Sequence, residues 1–253
     1  MEKTHLEVIK SHNKNFLVTI AIGSKCYRDW SMYAKDNWIK YCEKHSLGLI
    51  VILKDLIDKK NFYWKKPTWQ KMLLAQYLKS FYKSKIKNIC YLDTDILINP
   101  FSPNIFKHHK QNKISLISET YNLPYDLNII RKKISFYRNK YYSKKYPLDS
   151  SLFMSVKQKY QFHNLKPQKD YACAGVFVVN VKKFSKTMKN WFYKYTKDIK
   201  TLTGGGDEPL LNYELFNTKK INLIDYKFQA LWLYEMAHKY SFLYQYGKKK
   251  NKI

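Results

Sequence analysis

Apolar residues along this chain fall into short unbroken runs, separated by longer stretches in which they recur every three or four positions. The run FLVTIAIG (16–23) closes on glycine and predicts a buried parallel strand. WSMYAKDNWIKYCEKH (30–45) has helical spacing, and LGLIVIL (47–53) predicts a second strand. PTWQKMLLAQYLKSFYKS (67–84) opens on proline and carries a stripe of Trp69, Leu73, Gln76, Tyr77 and Phe81, the mark of a helix. KNICYLD (87–93) predicts a third strand ending on an acid. This alternation predicts an α/β fold: a mixed, mainly parallel central sheet flanked by helices, with right-handed crossovers. Ligands of such sheets bind beyond the carboxyl ends of the strands, so the ends of the first and third strands are expected to share one crevice.

Further along, KISLIS (113–118) predicts a short strand, and a polar, Tyr- and Lys-rich stretch (121–171) interrupts the pattern as an insertion. ACAGVFVVN (172–180) resumes the sheet, followed by a helix over 181–199, the segment GGGDEPLLNYELF and a strand at 221–225. The domain expectation is a loose tail over 1–15, one domain over 16–247, and a solvated basic tail over 248–253.

Composition changes the picture in three ways. A hydrophobic fraction of 45% in 253 residues supports a sizeable core and excludes disorder for most of the chain. The 23 tyrosines are too many for the core alone, so some rings are expected at the surface, free to stack on bases or sugars. The formal charge of +28 is carried almost wholly by lysine, with Arg28, Arg131 and Arg138 the only arginines. A nucleic-acid reader would use more arginine, whose planar fork suits phosphate and guanine, so nucleic acid is an unfavoured partner. Codon bias or peripheral contact with an anionic membrane account better for the lysines. Cys26, Cys42, Cys90 and Cys173 form no CxxC pair, which points to a reducing compartment. The polar first 15 residues give no signal peptide, and no run approaches the ~20 apolar residues of a membrane span. A cytoplasmic protein, possible to hold peripherally at the inner membrane surface, is the expectation.

The chemistry centres on YLDTDILINP, where a hydrophobic strand delivers Asp93 and Asp95 at i and i+2. Where the chain leaves extended geometry after Asp93, both carboxylates can turn toward one point. Oxygen-only ligands suit Mg2+ or Mn2+, with a diphosphate completing the shell. The plainer reading, two solvated acids on a turn, fits less well in a chain with 19 acids against 47 basic residues. Ala174 and Gly175 in ACAGVFVVN suggest a close backbone approach, though a core strand would look the same. Asp207 and Glu208, ahead of Pro209, are simple helix-start acids in isolation. Beside a metal motif they become candidates for the acceptor or for a cationic sugar.

Together, DTD after an apolar strand, AGVFVVN some eighty residues on, and then GDEPLLN resemble the family 8 glycosyltransferases, the glycogenin- and lipopolysaccharide-galactosyltransferase-like enzymes of the A-type fold. The resemblance runs over 16–225, with fewer matches over 121–171. It implies hexose transfer from a nucleotide-diphosphate sugar, a UDP-sugar first among them, to a hydroxyl of a glycan, lipid-linked glycan or protein, with Mn2+ or Mg2+. It implies that Asp93 and Asp95 bind the metal, with Asp93 and Thr94 beside the nucleotide. Thr19, Ile20 and Ala21 would line the base site, Tyr27 would stack on the base, and Lys71 would reach the nucleotide sugar or its phosphates. Ala174 and Gly175 would contact the donor sugar, with Asp207 and Glu208 as the catalytic acids next to it and 121–171 shaping the acceptor site.

The chain departs from that pattern at Cys173, where the family often has Asn, and at Glu208, where Gln is common. The family's C-terminal HxxGxxKPW segment is absent, and AHKYSFLYQYGKKK offers His238 as the candidate third metal ligand. The chief rival is a haloacid dehalogenase-type phosphatase with Asp93 as nucleophile. Its DxD belongs on a first strand, whereas this one follows two strand–helix units.

Overall fold

The structure, a computed structural model, describes residues 4–141, 154–196 and 207–240, with no side-chain account of 137–141. In chain order the elements are β1 (His5–Ile9), β2 (Asn15–Ile20), α1 (Ser24–Tyr33), α2 (Lys35–His45), β3 (Gly48–Ile52), α3 (Pro67–Gln70), α4 (Leu74–Tyr82) and β4 (Asn88–Leu92). There follow β5 (Ile114–Ser118), α5 (Leu127–Tyr141), α6 (Val156–Phe162), β6 (Ala172–Asn180), α7 (Val181–Lys194), α8 (Glu208–Asn217), β7 (Ile221–Leu223) and α9 (Trp232–Lys239).

The seven strands form one sheet in the order β1-β3-β2-β4-β6-β5-β7. Strands β2, β3, β4, β5 and β7 run one way, while β1 and β6 run against them. The sheet is therefore mixed and mainly parallel in direction. Every residue of β3, β4 and β5 is buried, as expected of strands covered on both faces. Alternate residues feed two cores. Phe16, Val18, Ile50, Ile52, Ile89 and Tyr91 pack on the side of α4, α7 and α8. Leu17, Leu49, Val51, Cys90 and Leu92 pack on the side of α1 and α2 with Trp30 and Trp38.

Several local expectations are corrected. The stretch expected to be a loose tail supplies β1, an edge strand antiparallel to β3 with His5 opposite Ile52. His5 is anchored by the hydroxyls of Tyr77 (2.7 Å) and Tyr82 (2.9 Å), partners 70 or more residues away that no local pattern reveals. The helix read over 30–45 begins earlier, at Ser24, and breaks at Ala34, whose φ of −117° departs from helical geometry. The break lets Trp30 and Trp38 meet edge-on, ring centroids 5.8 Å apart. The helix over 67–84 is likewise divided, by a tight turn at Lys71–Leu73. The helix read over 181–199 ends at Lys194, where Tyr195 turns extended. The three glycines 204–206, residues 142–153 of the insertion and the basic tail lie outside the described residues.

Candidate active site

The carboxyl ends of β2, β3, β4 and β5 and the start of the opposed strand β6 share one edge of the sheet. Strand β4 ends on Leu92, and Asp93 donates its backbone N–H to Gly175 O at 2.9 Å, which closes the β4–β6 ladder. Asp93 lies two residues beyond Tyr91, so the two side chains share a face, and the Tyr91 hydroxyl donates to Asp93 Oδ1 at 2.6 Å. A Cβ at position 175 would stand 2.9 Å from Asp93 Oδ2 and 2.6 Å from Gln229 Nε2. Glycine there leaves room for that carboxylate, which is the close approach the sequence suggested.

Lys71, in the turn between α3 and α4, is fully buried beneath this edge. Its Nζ lies 2.8 Å from Asp207 Oδ2 and 4.0 Å from Asp93 Oδ1, donates to Ala174 O at 3.0 Å, and sits 5.1 Å from the centre of the Tyr91 ring. Burial alone would lower its pKa, but Asp207 and then Asp93 outweigh that and push it up, so it stays charged. Asp207, 4% exposed, is thereby the buried partner of an ion pair, and Glu208 beside it opens α8. Glu208 accepts the N–H of Ala174 at 3.2 Å. Burial, followed by the Glu119 carboxylate, pushes Glu208 up to about 8, against the opposing pull of Lys159.

Asp95 is exposed, just past the strand end, and its loop is held from below by α2. Asn37 donates to Ile98 O and accepts from Ile98 N, both at 2.7 Å, and Trp38 Nε1 donates to Ile96 O at 2.8 Å. Tyr41 donates to Pro103 O and accepts from Ile105 N. The Asp93–Asp95 turn is thus built on a rigid strand and strapped to a helix.

The nucleotide-side residues fall into two groups. Thr19 is buried, its hydroxyl donating to Leu92 O at 2.7 Å, so it ties β2 to β4. Ile20 and Ala21 are also buried. The surface beyond them is an open cleft of about 430 Å³ lined by Ile22 and residues 53–59. One wall of that cleft is set by buried Gln70, which accepts from Leu56 N (2.6 Å) and donates to Asp55 (2.5 Å). Tyr27 is half-buried with its ring 6.0 Å from Trp30, and Thr94 lies 3.6 Å from Cys26 Sγ.

His238, the candidate third metal ligand, is exposed on α9, its ring centroid 5.1 Å from that of Tyr125, on a helix that packs against α5 through Ile130, Ile134, Tyr234 and Ala237. The described residues bring one group of three His, Cys, Asp or Glu ligand atoms within 4.8 Å of one another, and that group is Glu119, Cys173 and Glu208. Asp93, Asp95 and His238 form no such group.

Several residues of this edge had escaped sequence reasoning. Asn212 clamps α8 to β6 by accepting from Ala172 N (2.7 Å) and donating to Ala172 O (2.8 Å). Glu119 follows the end of β5 much as Asp93 follows β4, a signal the KISLIS run offered. Lys159, paired with Glu119 at 2.5 Å, and Gln229, whose Nε2 lies 2.8 Å from Cys173 Sγ, come from segments with no chemical pattern.

No family model and none of the curated proteins compared matches the chain. Among solved structures its fold is similar to that of a glycosyltransferase involved in the glycosylation of the major capsid of PBCV-1. The TM-score is 0.50 at 11% identity, over 84% of this chain and 81% of the other. At that identity the likeness concerns the α/β fold, a mixed seven-stranded sheet with flanking helices.

Proposed function

We propose that this chain is a metal-assisted glycosyltransferase that moves a hexose from a nucleotide-diphosphate sugar, a UDP-sugar in the simplest case, to a hydroxyl acceptor. The observation that carries the reading is the convergence of Asp93, Lys71 and Asp207 at the carboxyl edge of the sheet, the edge at which a cleft lined by Ile22 and residues 53–59 also opens. The shared fold with a glycosyltransferase supports it.

The residues fit a hard divalent cation. Asp93 and Asp95 offer only oxygens, Asp95 faces solvent, and Gly175 leaves open the space at Asp93 Oδ2 that a side chain would fill. Bound there, Mn2+ or Mg2+ would neutralise charge on the leaving diphosphate. The chain's own groups supply the rest. Tyr91 and Lys71 fix the Asp93 carboxylate, so that Oδ2 is the free oxygen of the pair. Lys71, 2.8 Å away, holds the Asp207 carboxylate in place, a fixed negative charge for positive character developing on the sugar. Glu208, titrating near neutrality, is the carboxyl able to take or give a proton at the sugar or acceptor hydroxyl. The 53–59 cleft is the place for the nucleoside, and the stretch 121–171 for the acceptor, a glycan, lipid-linked glycan or protein. The lysine excess suits an anionic surface, and no helix among the described residues is long and apolar enough to cross a membrane.

A thermal-shift panel of nucleotide-diphosphate sugars with and without Mn2+ tests the proposal. A donor at a hundred times its Kd adds ~2.7 kcal/mol of stability. One sugar nucleotide is expected to raise the melting temperature in Mn2+ and not in chelator. A panel in which none does so overturns the reading.

A further inference from the structure

Beyond the acidic pair lies a second cluster at the same sheet edge, formed where β5 ends, β6 begins and α8 starts. One ligand atom each from Glu119, Cys173 and Glu208 lies within 4.8 Å of the others. We propose that these three residues bind a thiophilic divalent cation of the zinc class, at a site distinct from Asp93 and Asp95.

Three observations carry this. The first is the donor set. A thiol with two carboxylates is foreign to Mg2+ and Mn2+ and suits Zn2+, whose bonds of about 2.3 Å to sulfur and 2.0–2.2 Å to oxygen require only a small contraction of the cluster.

The second is Tyr171, 1% exposed, whose hydroxyl has no hydrogen-bond partner. Tyr171 stands two residues before Cys173 and so on the same side of the chain. Its ring lies 4.1 Å from Lys159 Nζ, and Glu208 and Glu119 are the two strongest charges acting on its hydroxyl. A buried oxygen left without a partner among such charges is a costly arrangement. The amide oxygen of Gln229, the residue against Cys173 Sγ, is likewise buried and without a partner.

The third is charge. With an ion bound, a thiolate and two carboxylates would carry −3, and Lys159, 2.5 Å from Glu119 Oε2, returns +1. A divalent ion closes that balance. Lys159 also fixes the orientation of Glu119, as outer partners of metal ligands do. Binding forms one sulfur–metal and two oxygen–metal bonds and releases to solvent the thiol proton, with any proton that Glu208 carries. An ion held there would tie Glu208 down and withdraw it from the sugar side of the edge.

The test uses the full chain and the metal alone, with no nucleotide sugar, so its failure and that of the transferase reading are separable. Zn2+ is titrated against a chromophoric chelator, and Co2+ serves as the spectroscopic probe. The expected result is one equivalent whose binding depends on Cys173, with a thiolate-to-cobalt charge-transfer band in the wild-type protein and in Asp95→Asn. Cys173→Ala should lose the band and bind Zn2+ at least ~100-fold more weakly, and Lys159→Met should weaken binding ~10–100-fold. Circular dichroism checks each variant's fold, and Cys173→Ser, closer in volume, replaces the alanine variant should that one misfold. No stoichiometric Zn2+, or a band that persists in the Cys173 variants, overturns the proposal. So does a band lost in Asp95→Asn.

Discussion

Lys71 Nζ lies 2.8 Å from Asp207 Oδ2, and both side chains are almost wholly buried. The pair joins the turn before α4 to the start of α8 beneath the edge where β4 ends, so one contact holds three parts of the proposed site in register. Removing one member leaves a buried charge unpaired, which costs about 3–5 kcal/mol. Lys71→Met and Asp207→Leu are each expected to lose stability in that range by urea unfolding. The double variant should lose clearly less than the two losses combined, since it leaves no stranded charge.

Glu208 makes stability depend on pH in an unusual direction for a carboxyl. Its folded value, about 8, stands above the ordinary 4.5, so the folded chain binds the proton more tightly than the unfolded chain. That contribution is complete below the ordinary value and fades as pH rises through about 8. Melting temperatures measured across that window should fall on the alkaline side. Glu208→Gln, which cannot ionise, should flatten the fall. The same slope in the variant would show that another group is responsible.

Gly175 is predicted to be intolerant of any side chain for a local reason. Alanine would bring Cβ to 2.9 Å from Asp93 Oδ2 and 2.6 Å from Gln229 Nε2, both at the ends of side chains that can give way. Gly175→Ala should therefore fold but displace the metal-side carboxylate. Mn2+ affinity, read by calorimetry or by proton relaxation, is expected to fall ~10–100-fold with little change in the unfolding midpoint.

The strap from α2 to the loop after Asp95 predicts an effect at a distance. Asn37 makes two 2.7 Å bonds to the backbone of Ile98, and Asn37→Ala leaves that N–H and C=O without partners. A loss of roughly 1–3 kcal/mol is expected. Mn2+ binding should weaken as well, because Asp95 is then carried on a looser loop. Unchanged Mn2+ affinity would mean that the loop's position does not depend on the strap.

Much of this edge was readable from residue order alone. Strands β2, β3, β4, β5 and β6 are buried on both faces and stand out as apolar runs, so their ends located Asp93 and the Ala174–Gly175 approach. Strand β1 was hidden because its partners, Tyr77 and Tyr82, are brought to His5 only by the fold. Lys71 was identified but its neighbours were not. As a helix-side lysine it pointed to phosphates, whereas the structure buries it against Asp207 and Ala174. Lys159 and Gln229 carry no local signal, since each matters only through contacts 40 or more residues away in the chain. His238 was chosen for its place in the segment AHKYSFLYQYGKKK, and the structure sets it on a short helix that packs on α5.

The central claim rests on Asp95, which is exposed and can be changed without disturbing the core. Nucleoside diphosphate release from the sugar nucleotide chosen by the thermal-shift panel, with Mn2+ present, is the direct measurement. The account predicts release by the wild-type chain and its loss in Asp95→Ala, with the melting temperature of the free protein unchanged. Release that continues undiminished in Asp95→Ala, or a chain that frees only inorganic phosphate from monoesters, would contradict it.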